Sequence, residues 1–433
     1  MNRPSGEWIV GNGVVADGAG TFLDDGALHI RDGRIITVAP TAQLRRDRVE
    51  FIDVNGRLIM PGFLNAHHHL YSSLAVGTSP IGPTPDFYRI LTNMWWPLDG
   101  ALDRESVYLS ALVGLTDAVR HGVTMLFDHH ASMGFVRGSL DLLHRAFAEA
   151  GIKGTLCFET SERAGPVSLE EQIEENLEFA AQASASPSVR GLFGLHANLT
   201  LGNDTLQRIA DRKPADLPIH VHCGEDAADL EHCRTVGFAG PADRLAAFGL
   251  LSSRSLLVHA IHLSERDYER VAEIRPVIVT NPESNANNRV GHMVRRRMPA
   301  YVLGTDGMGC DMLATLRAHF LLGRDQDESW TDLQANVFAE RYRVQELFFP
   351  DTGRFRPDIR ADVAVPDYIP ATPVSPDNLL GHLIFGAQGG PMFLTLADGR
   401  ILFREGRVTF LDETALRREA RAVAVRLHER YYG

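Results

Sequence analysis

The stretch Leu58–His69 reads LIMPGFLNAHHH. An apolar run with no polar face suits a strand buried on both sides, as in a parallel sheet covered by helices. Side chains two apart on a strand share a face, so His67 and His69 point the same way, toward the end of the strand where a site can form. Two imidazoles converging there make the first half of a metal site.

The same pattern recurs along the chain. Short apolar runs ending in polar clusters appear as VTMLFDHH (123–130), GTLCFETSER (154–163), RGLFGLHAN (190–198), LPIHVHCGED (217–226), SLLVHAIH (255–262), PVIVTNPESN (276–285) and YVLGTDG (301–307). Stretches of helical period separate them, among them 103–122, 139–151, 169–184, 264–274 and 312–324. Eight strands alternating with helices predict an α/β fold, a (β/α)8 TIM-like barrel with its site at the C-terminal strand ends. Both ends of the chain have a different texture. Residues 7–58 and ADVAVPDY to TFLDE (361–413) carry short strands punctuated by Asn-Gly and Asp-Gly turns. The expected organisation is a small β-sandwich domain built from residues 1–58 plus 358–433, around a catalytic barrel over 59–357. Segment 325–357 fits neither pattern and reads as a helical cover or subunit contact.

Composition excludes several partners. The 433 residues are 44% hydrophobic and 23% charged, ordinary for a globular enzyme. A net charge of -12 gives no electrostatic reason to bind nucleic acid or an anionic membrane. No stretch approaches the roughly 18–20 apolar residues of a membrane span, and MNRPSGEWIV lacks the apolar core of a signal peptide. Cys157, Cys223, Cys233 and Cys310 are too scattered for a disulfide scaffold and suit a reducing cytoplasm. The expectation is a cytoplasmic protein acting on a small molecule.

The polar clusters carry the chemistry. The fifth run supplies His220, His222 and Glu225, the sixth His259 and His262, and the eighth Asp306. Histidines and acids gathered at the ends of strands 1, 5, 6 and 8 meet around one ion in such a barrel. His220, deeper on its strand than His222, reads as a hydrogen-bonded core position.

The ordered set PGFLNAHHH, HVHCGE, LLVHAIHL, NPESN and GTDG resembles the amidohydrolase superfamily, in its branch of cytosine, guanine and triazine aminohydrolases. The longer run through WWPLD, SALVGL, FDHHAS, GLHA and NPESNANNRVG is most similar to SsnA-type aminohydrolases. The resemblance implies that His67, His69, His222 and Asp306 bind a metal, that Glu225 shuttles protons, and that His259 orients the hydrolytic water. Neither lysine, Lys153 or Lys213, lies near the fourth run, so the carboxylated lysine of binuclear members is missing and one divalent ion is expected, Zn2+ with Fe2+ as the alternative. The implied reaction is hydrolytic deamination of an aminated nitrogen heterocycle. A metal-activated hydroxide attacks the ring carbon, Asp306 takes the water proton, Glu225 protonates the adjacent ring nitrogen, and ammonia leaves. The alternative keeps the metal site and changes the leaving group, as in triazine dechlorination or cyclic amide hydrolysis. A homodimer or higher homo-oligomer is implied as well. Substrate-contact candidates are Trp95 in the loop after strand 1, His129 and His130 after strand 2, Arg163 after strand 3, and Glu283 and Asn285 after strand 7. Arg163 reads equally as an ion-pair partner of Glu159 or Glu162, and the Arg295–Arg297 run as a solvated helix face.

Overall fold

The computed structural model describes residues 6–44 and 49–433. The eight runs form parallel strands, labelled here β1 (Phe63–His68), β2 (Val123–His130), β3 (Lys153–Phe158), β4 (Val189–Gly191 continuing as Phe193–Ala197), β5 (Ile219–Cys223), β6 (Leu256–His259), β7 (Val277–Thr280) and β8 (Val302–Leu303). One sheet carries β1 through the first part of β4, and a second runs from the rest of β4 to β8. Parallel bridges Thr160–Leu195 and His68–Asp306 link them at both edges. Every residue of β1, β2, β3, β5, β6 and β7 is buried, which explains the continuous apolar runs.

Helices follow the strands. Arg104–Arg120 is opened by Asp103 and Ser106, whose side chains each accept the other's backbone N–H. Gly165–Ala183 starts four residues before the periodic stretch at Leu169, with Pro166 in the first turn, where a missing N–H costs nothing. Segment 325–357 is helical over Trp330–Phe348, and Phe348 and Phe349 share a core with Leu64, Met125, Phe127 and Val279 of the parallel strands. One arginine of the 295–297 run is not solvated. Arg295 is buried, 2.9 Å from Glu328 and hydrogen-bonded to the His319 carbonyl. A buried guanidinium needs such acceptors, and helix Met312–Leu322 with the loop after it provides them.

Strands from both chain ends form one nine-stranded mixed sheet. Leu58–Pro61 belongs to it, pairing with Trp8–Ala16 and with Val363–Pro366, so the chain enters β1 directly from this sheet. Val10, Leu28, Ile30 and Ile59 share a core with Val363, Leu394 and Leu396. The sheet is tied to the barrel strands by Lys153, at the start of β3, whose buried ammonium lies 2.9 Å from Asp362 and 2.6 Å from Asp398.

The last element is helix Glu413–Tyr432, which packs on Arg104–Arg120. Its final turns grip the segment that follows β1. His428 Nε2 is 2.9 Å from Thr78 Oγ1, Ser79 N–H donates to Tyr432 Oη, and Tyr431 Oη donates toward the carbonyls of Ser79 and Asn93. Among the described residues no helix is long and apolar enough to cross a membrane.

Candidate metal centre and substrate cleft

His67 in β1 and His69 just beyond it stand two apart, as do His220 and His222 in β5, and β6 and β8 end in His259 and, three residues beyond Leu303, Asp306. Ligand atoms of His67, His222, His259 and Asp306 all lie within 4.8 Å of one another. His69 Nε2 is 2.9 Å from Asp306 Oδ1 and 3.2 Å from His222 Nε2.

Hydrogen bonds behind the rings set their tautomers. His69 Nδ1 is 2.6 Å from the His129 carbonyl and His222 Nδ1 2.9 Å from the His196 carbonyl. A carbonyl only accepts, so both Nδ1 atoms carry a proton and Nε2 is the atom each ring turns toward the cluster, as a lone pair in the neutral His222. His259 Nδ1–H donates to Asn285 Oδ1 at 2.8 Å, and His67 Nδ1 is 2.9 Å from His220 Nε2. The buried Nε2 atoms of His67 and His259 have no hydrogen-bond partner. An unsatisfied buried polar atom costs about 1–3 kcal/mol, and a divalent ion, which takes imidazole lone pairs, fits this cluster.

The electrostatics agree. Burial holds His67, His222 and His259 below the ordinary imidazole value, so they are neutral and able to ligate. Burial acts the same way on His69, yet the hydrogen bond and charge of Asp306 outweigh it and lift that ring to about 9. Asp306 is driven well below the carboxylate range: its burial opposes ionisation, and His67 and His69 overcome it. Glu225, three residues after His222, goes the other way. Burial and the neighbouring Asp306 charge push its carboxyl well up, which favours its protonated form. Its Oε2 is 3.4 Å from His259 Nε2, and its Oε1 accepts from Asn288 Nδ2 at 3.3 Å.

Backbone strain concentrates here. His259 and Ala260 have φ of 72° and 51°, and Asp306 has φ of 55°, left-handed values that non-glycine residues adopt only when their surroundings impose them. Close approach of β8 to β1 requires Gly304, where a Cβ would fall 2.9 Å from His67 Cβ and 2.5 Å from Asn281 Oδ1.

Above the cluster lies a cleft of about 590 Å³. Phe87, Leu91, Trp95 and Trp96, from the helical segment Phe87–Ala101, supply its apolar side, with Tyr71, Asp99, Glu159, His196, Ser284 and Asn288 around the remainder.

Comparison with known proteins now bears on this geometry. The model of the amidohydrolase family matches residues 58–336. The chain belongs to the amidohydrolase family. It is therefore a hydrolase of C–N bonds other than peptide bonds, as its motifs imply. It is 27% identical over 434 residues to the 5-methylthioadenosine/S-adenosylhomocysteine deaminase of Nitratidesulfovibrio vulgaris, covering 95% of this chain and 94% of that one. An adenosine deaminase from Xanthomonas campestris with bound zinc superposes with a TM-score of 0.83 at 22% identity, over 99% of this chain and 100% of that one. Escherichia coli guanine deaminase does so with a TM-score of 0.76 at 20% identity, over 92% and 99%. These likenesses establish a TIM-barrel-like α/β fold.

In this amidohydrolase the six residues marked by the motifs, His67, His69, His222, Glu225, His259 and Asp306, come together at one point. His220 backs His67. The secondary candidates divide. Trp95 lines the cleft. Asn285 holds His259, and Glu283 accepts from Thr315 Oγ1 at 2.7 Å, outside the cleft. His129 lies beneath the cluster, its Nε2–H donating to the His220 carbonyl, and His130 is buried against Ser132 Oγ. Arg163 forms the ion pair that its sequence context suggested and adds another: it sits 3.5 Å from Glu159 and 2.5 Å from Asp99.

Three acidic or histidine residues of the cleft were missed as site residues. Glu159 and His196 stand directly after the apolar runs of β3 and β4, the very signal that marked His222 and Asp306. Asp99 had no such signal. Burial raises its carboxyl to about 7 even against the pull of Arg163. Glu159 is held far below the carboxylate range, because His196, His129 and Arg163 overcome its burial.

Proposed function

We propose that this amidohydrolase is a metal-dependent deaminase of an aminated nitrogen heterocycle, breaking a ring carbon–amino bond and releasing ammonia. The observation that carries this reading is the convergence of four Nε2 atoms and the Asp306 carboxylate on one point, with the Glu225 carboxyl at its edge, 3.4 Å from His259 Nε2. His67, His69, His222 and Asp306 would hold one divalent ion, zinc first and iron second by ligand chemistry. When bound, such an ion supplies a water acidic enough to react near neutral pH.

The chain's own residues do the rest. Asp306 takes up a proton while Ser284 Oγ–H, 2.5 Å away, steadies its Oδ2. His259, locked by Asn285, orients the nucleophile through Nε2. Glu225 gives its proton to the ring nitrogen beside the attacked carbon, which keeps negative charge from building on the ring. A second proton transfer to the amino group makes ammonia the leaving group and leaves a carbonyl. The aromatic side chains of the cleft pack against a planar ring and keep bulk water out. Deaminase relatives at 26–27% identity over at least 93% of the chain support this choice of leaving group.

The same reading carries a closed barrel over residues 59–357, supported by the Thr160–Leu195 and His68–Asp306 bridges. It carries a terminal β-sandwich from 1–58 and 358–433, supported by the core that Leu28 and Ile30 share with Leu394 and Leu396, with helix Glu413–Tyr432 lying on the barrel. It also carries a cytoplasmic homo-oligomer. The experiment is metal content of the purified protein, coupled to ammonia release from a panel of aminated heterocycles with and without chelator. About one zinc or iron per chain and chelator-sensitive ammonia from one ring class is the expected result. Stoichiometric metal with chloride release or amide opening, and no ammonia, overturns deamination in favour of another leaving group.

A further inference from the structure

Asp99, Glu159 and Glu225 give the cleft three carboxyl groups besides Asp306, and among the described residues that line it there is no lysine or arginine. Arg163, just outside that lining, is already engaged. Its Nη2 is 2.5 Å from Asp99 and 3.5 Å from Glu159, and its guanidinium lies 5.3 Å from the Trp96 ring. Glu225 faces His259, whereas Glu159 lies within 4.8 Å of ligand nitrogens of His69 and His222.

Glu159 is unusual for a carboxylate that is only 4% exposed. Its closest polar neighbours are His129 Nδ1 and Arg163 Nη2 at 3.5 Å and His196 Nε2 at 3.7 Å, all beyond the length of a strong charge-assisted hydrogen bond. A buried carboxylate has several acceptor positions, and leaving them unfilled is expensive. Glu159 also lines the cleft, whose occupant in the proposed reaction is the ring, so donors on the ring can fill these positions.

Resting on the reading of this site as a deaminase, we propose that Glu159 is its ring-recognition group, accepting N–H donors from the ring edge remote from the leaving amino group. The substrate class is then an uncharged aminated base with free ring N–H, such as a purine, pyrimidine or pterin base. Substitution at a ring nitrogen on that edge takes one such donor away. A phosphate or carboxylate on that edge meets Glu159 and Asp99 with no free cation to offset them. Arg163, held between Asp99 and Glu159 and absent from the cleft lining, positions Glu159 and does not touch the ring.

The test pairs each aminated base with the same base methylated at the ring nitrogen, which removes one donor and keeps ring and leaving group. Methylation is expected to lower kcat/KM on the order of 10- to 100-fold, the range for a hydrogen bond to a charged group. Glu159→Gln, which keeps the shape but supplies one acceptor and one donor, is expected to compress that ratio toward one. Binding is read independently from the fluorescence of Trp95 and Trp96 on titration with the base and its methyl derivative, with or without turnover. Equal kcat/KM and equal quenching for the two members of each pair in the wild-type protein overturn the assignment, whatever the variant does. So does a methylation ratio that survives in Glu159→Gln, or a carboxylated base that competes as well as the neutral one. Two metal ions per chain, one lost in Glu159→Gln, would make Glu159 a ligand with His69, His129 and His222 and also overturn it. If no base yields ammonia although quenching still prefers free N–H, the deaminase reading fails and the recognition role of Glu159 stands.

Discussion

His259 is fully buried, and one strong hydrogen bond fixes its ring. Asn285 Oδ1 accepts from Nδ1 at 2.8 Å; the other neighbour of Nδ1, Asn281 Nδ2, is a donor at 3.5 Å. These two asparagines pull the imidazole in opposite senses. With Asn285 present, Nδ1 keeps the proton and Nε2 faces Glu225 and Asp306 at 3.4 and 3.8 Å with its lone pair. In Asn285→Ala the acceptor is gone and the Asn281 amide favours the other tautomer, with a proton on Nε2 where the nucleophile must be oriented. Leaving a buried N–H unsatisfied costs about 1–3 kcal/mol, which at about 1.4 kcal/mol per decade is a loss of roughly 5- to 150-fold in kcat/KM. The assay is steady-state ammonia release alongside metal content and thermal unfolding. Asn285→Asp, which keeps an acceptor at the same reach, is expected to recover most of the loss. Wild-type kcat/KM in Asn285→Ala with full metal content would refute the argument that this hydrogen bond sets the tautomer.

Other perturbations test other parts of the structure. Gly304→Ala forces β8 away from His67 and Asn281; overpacking of this kind costs about 1–3 kcal/mol, and lower metal occupancy and a lower Tm are expected, read by elemental analysis and calorimetry. Lys153→Met leaves Asp362 and Asp398 without their shared cation and is expected to destabilise by about 3–5 kcal/mol in denaturant titration. In the wild-type protein burial alone would lower the Lys153 pKa, but the two carboxylates raise it above 10.5. A cation with a raised folded pKa contributes stability that is complete below its ordinary value and lost as pH climbs through the folded one, so alkaline titration should weaken the wild type from about pH 10.5 upward and Lys153→Met much less. Replacing Tyr431 and Tyr432 together by Phe removes their hydrogen bonds to Ser79 and Asn93 and is expected to raise KM about 5- to 30-fold with kcat nearly unchanged, as measured by initial rates.

The metal centre was legible because its parts obey strand periodicity. His67 and His69 share a face, His222 and Glu225 follow an apolar run, and His259 and Asp306 end theirs. Glu159 and His196 were equally legible by position. They went unassigned because a single acid or histidine at a strand end has no partner in sequence to give it a role. Asn285 was found by place and not by task, since its contact is to His259, 26 residues away. Arg295 misled because three consecutive arginines look alike in sequence, whereas their directions are set by Glu328 and His319. The helix Glu413–Tyr432 was in the sequence all along, with Leu416, Ala420, Val423, Leu427 and Tyr431 at helical spacing. The helical segment carrying Phe87, Trp96 and Asp99 was out of reach, because its course depends on that distant helix.

That dependence also orders the protein's manufacture. Every residue of the metal centre lies between His67 and Asp306, but the wall of the cleft is gripped by residues 428–432. A nascent chain folding from its N-terminal side can therefore gather its ion while the ribosome still holds the helix that fastens Trp95 and Trp96 in place. On the proposed metal site, metal loading is then expected before competence for substrate. A protease that clips Glu413–Tyr432 from the finished molecule would return it to that earlier stage, metallated but with a loosened wall.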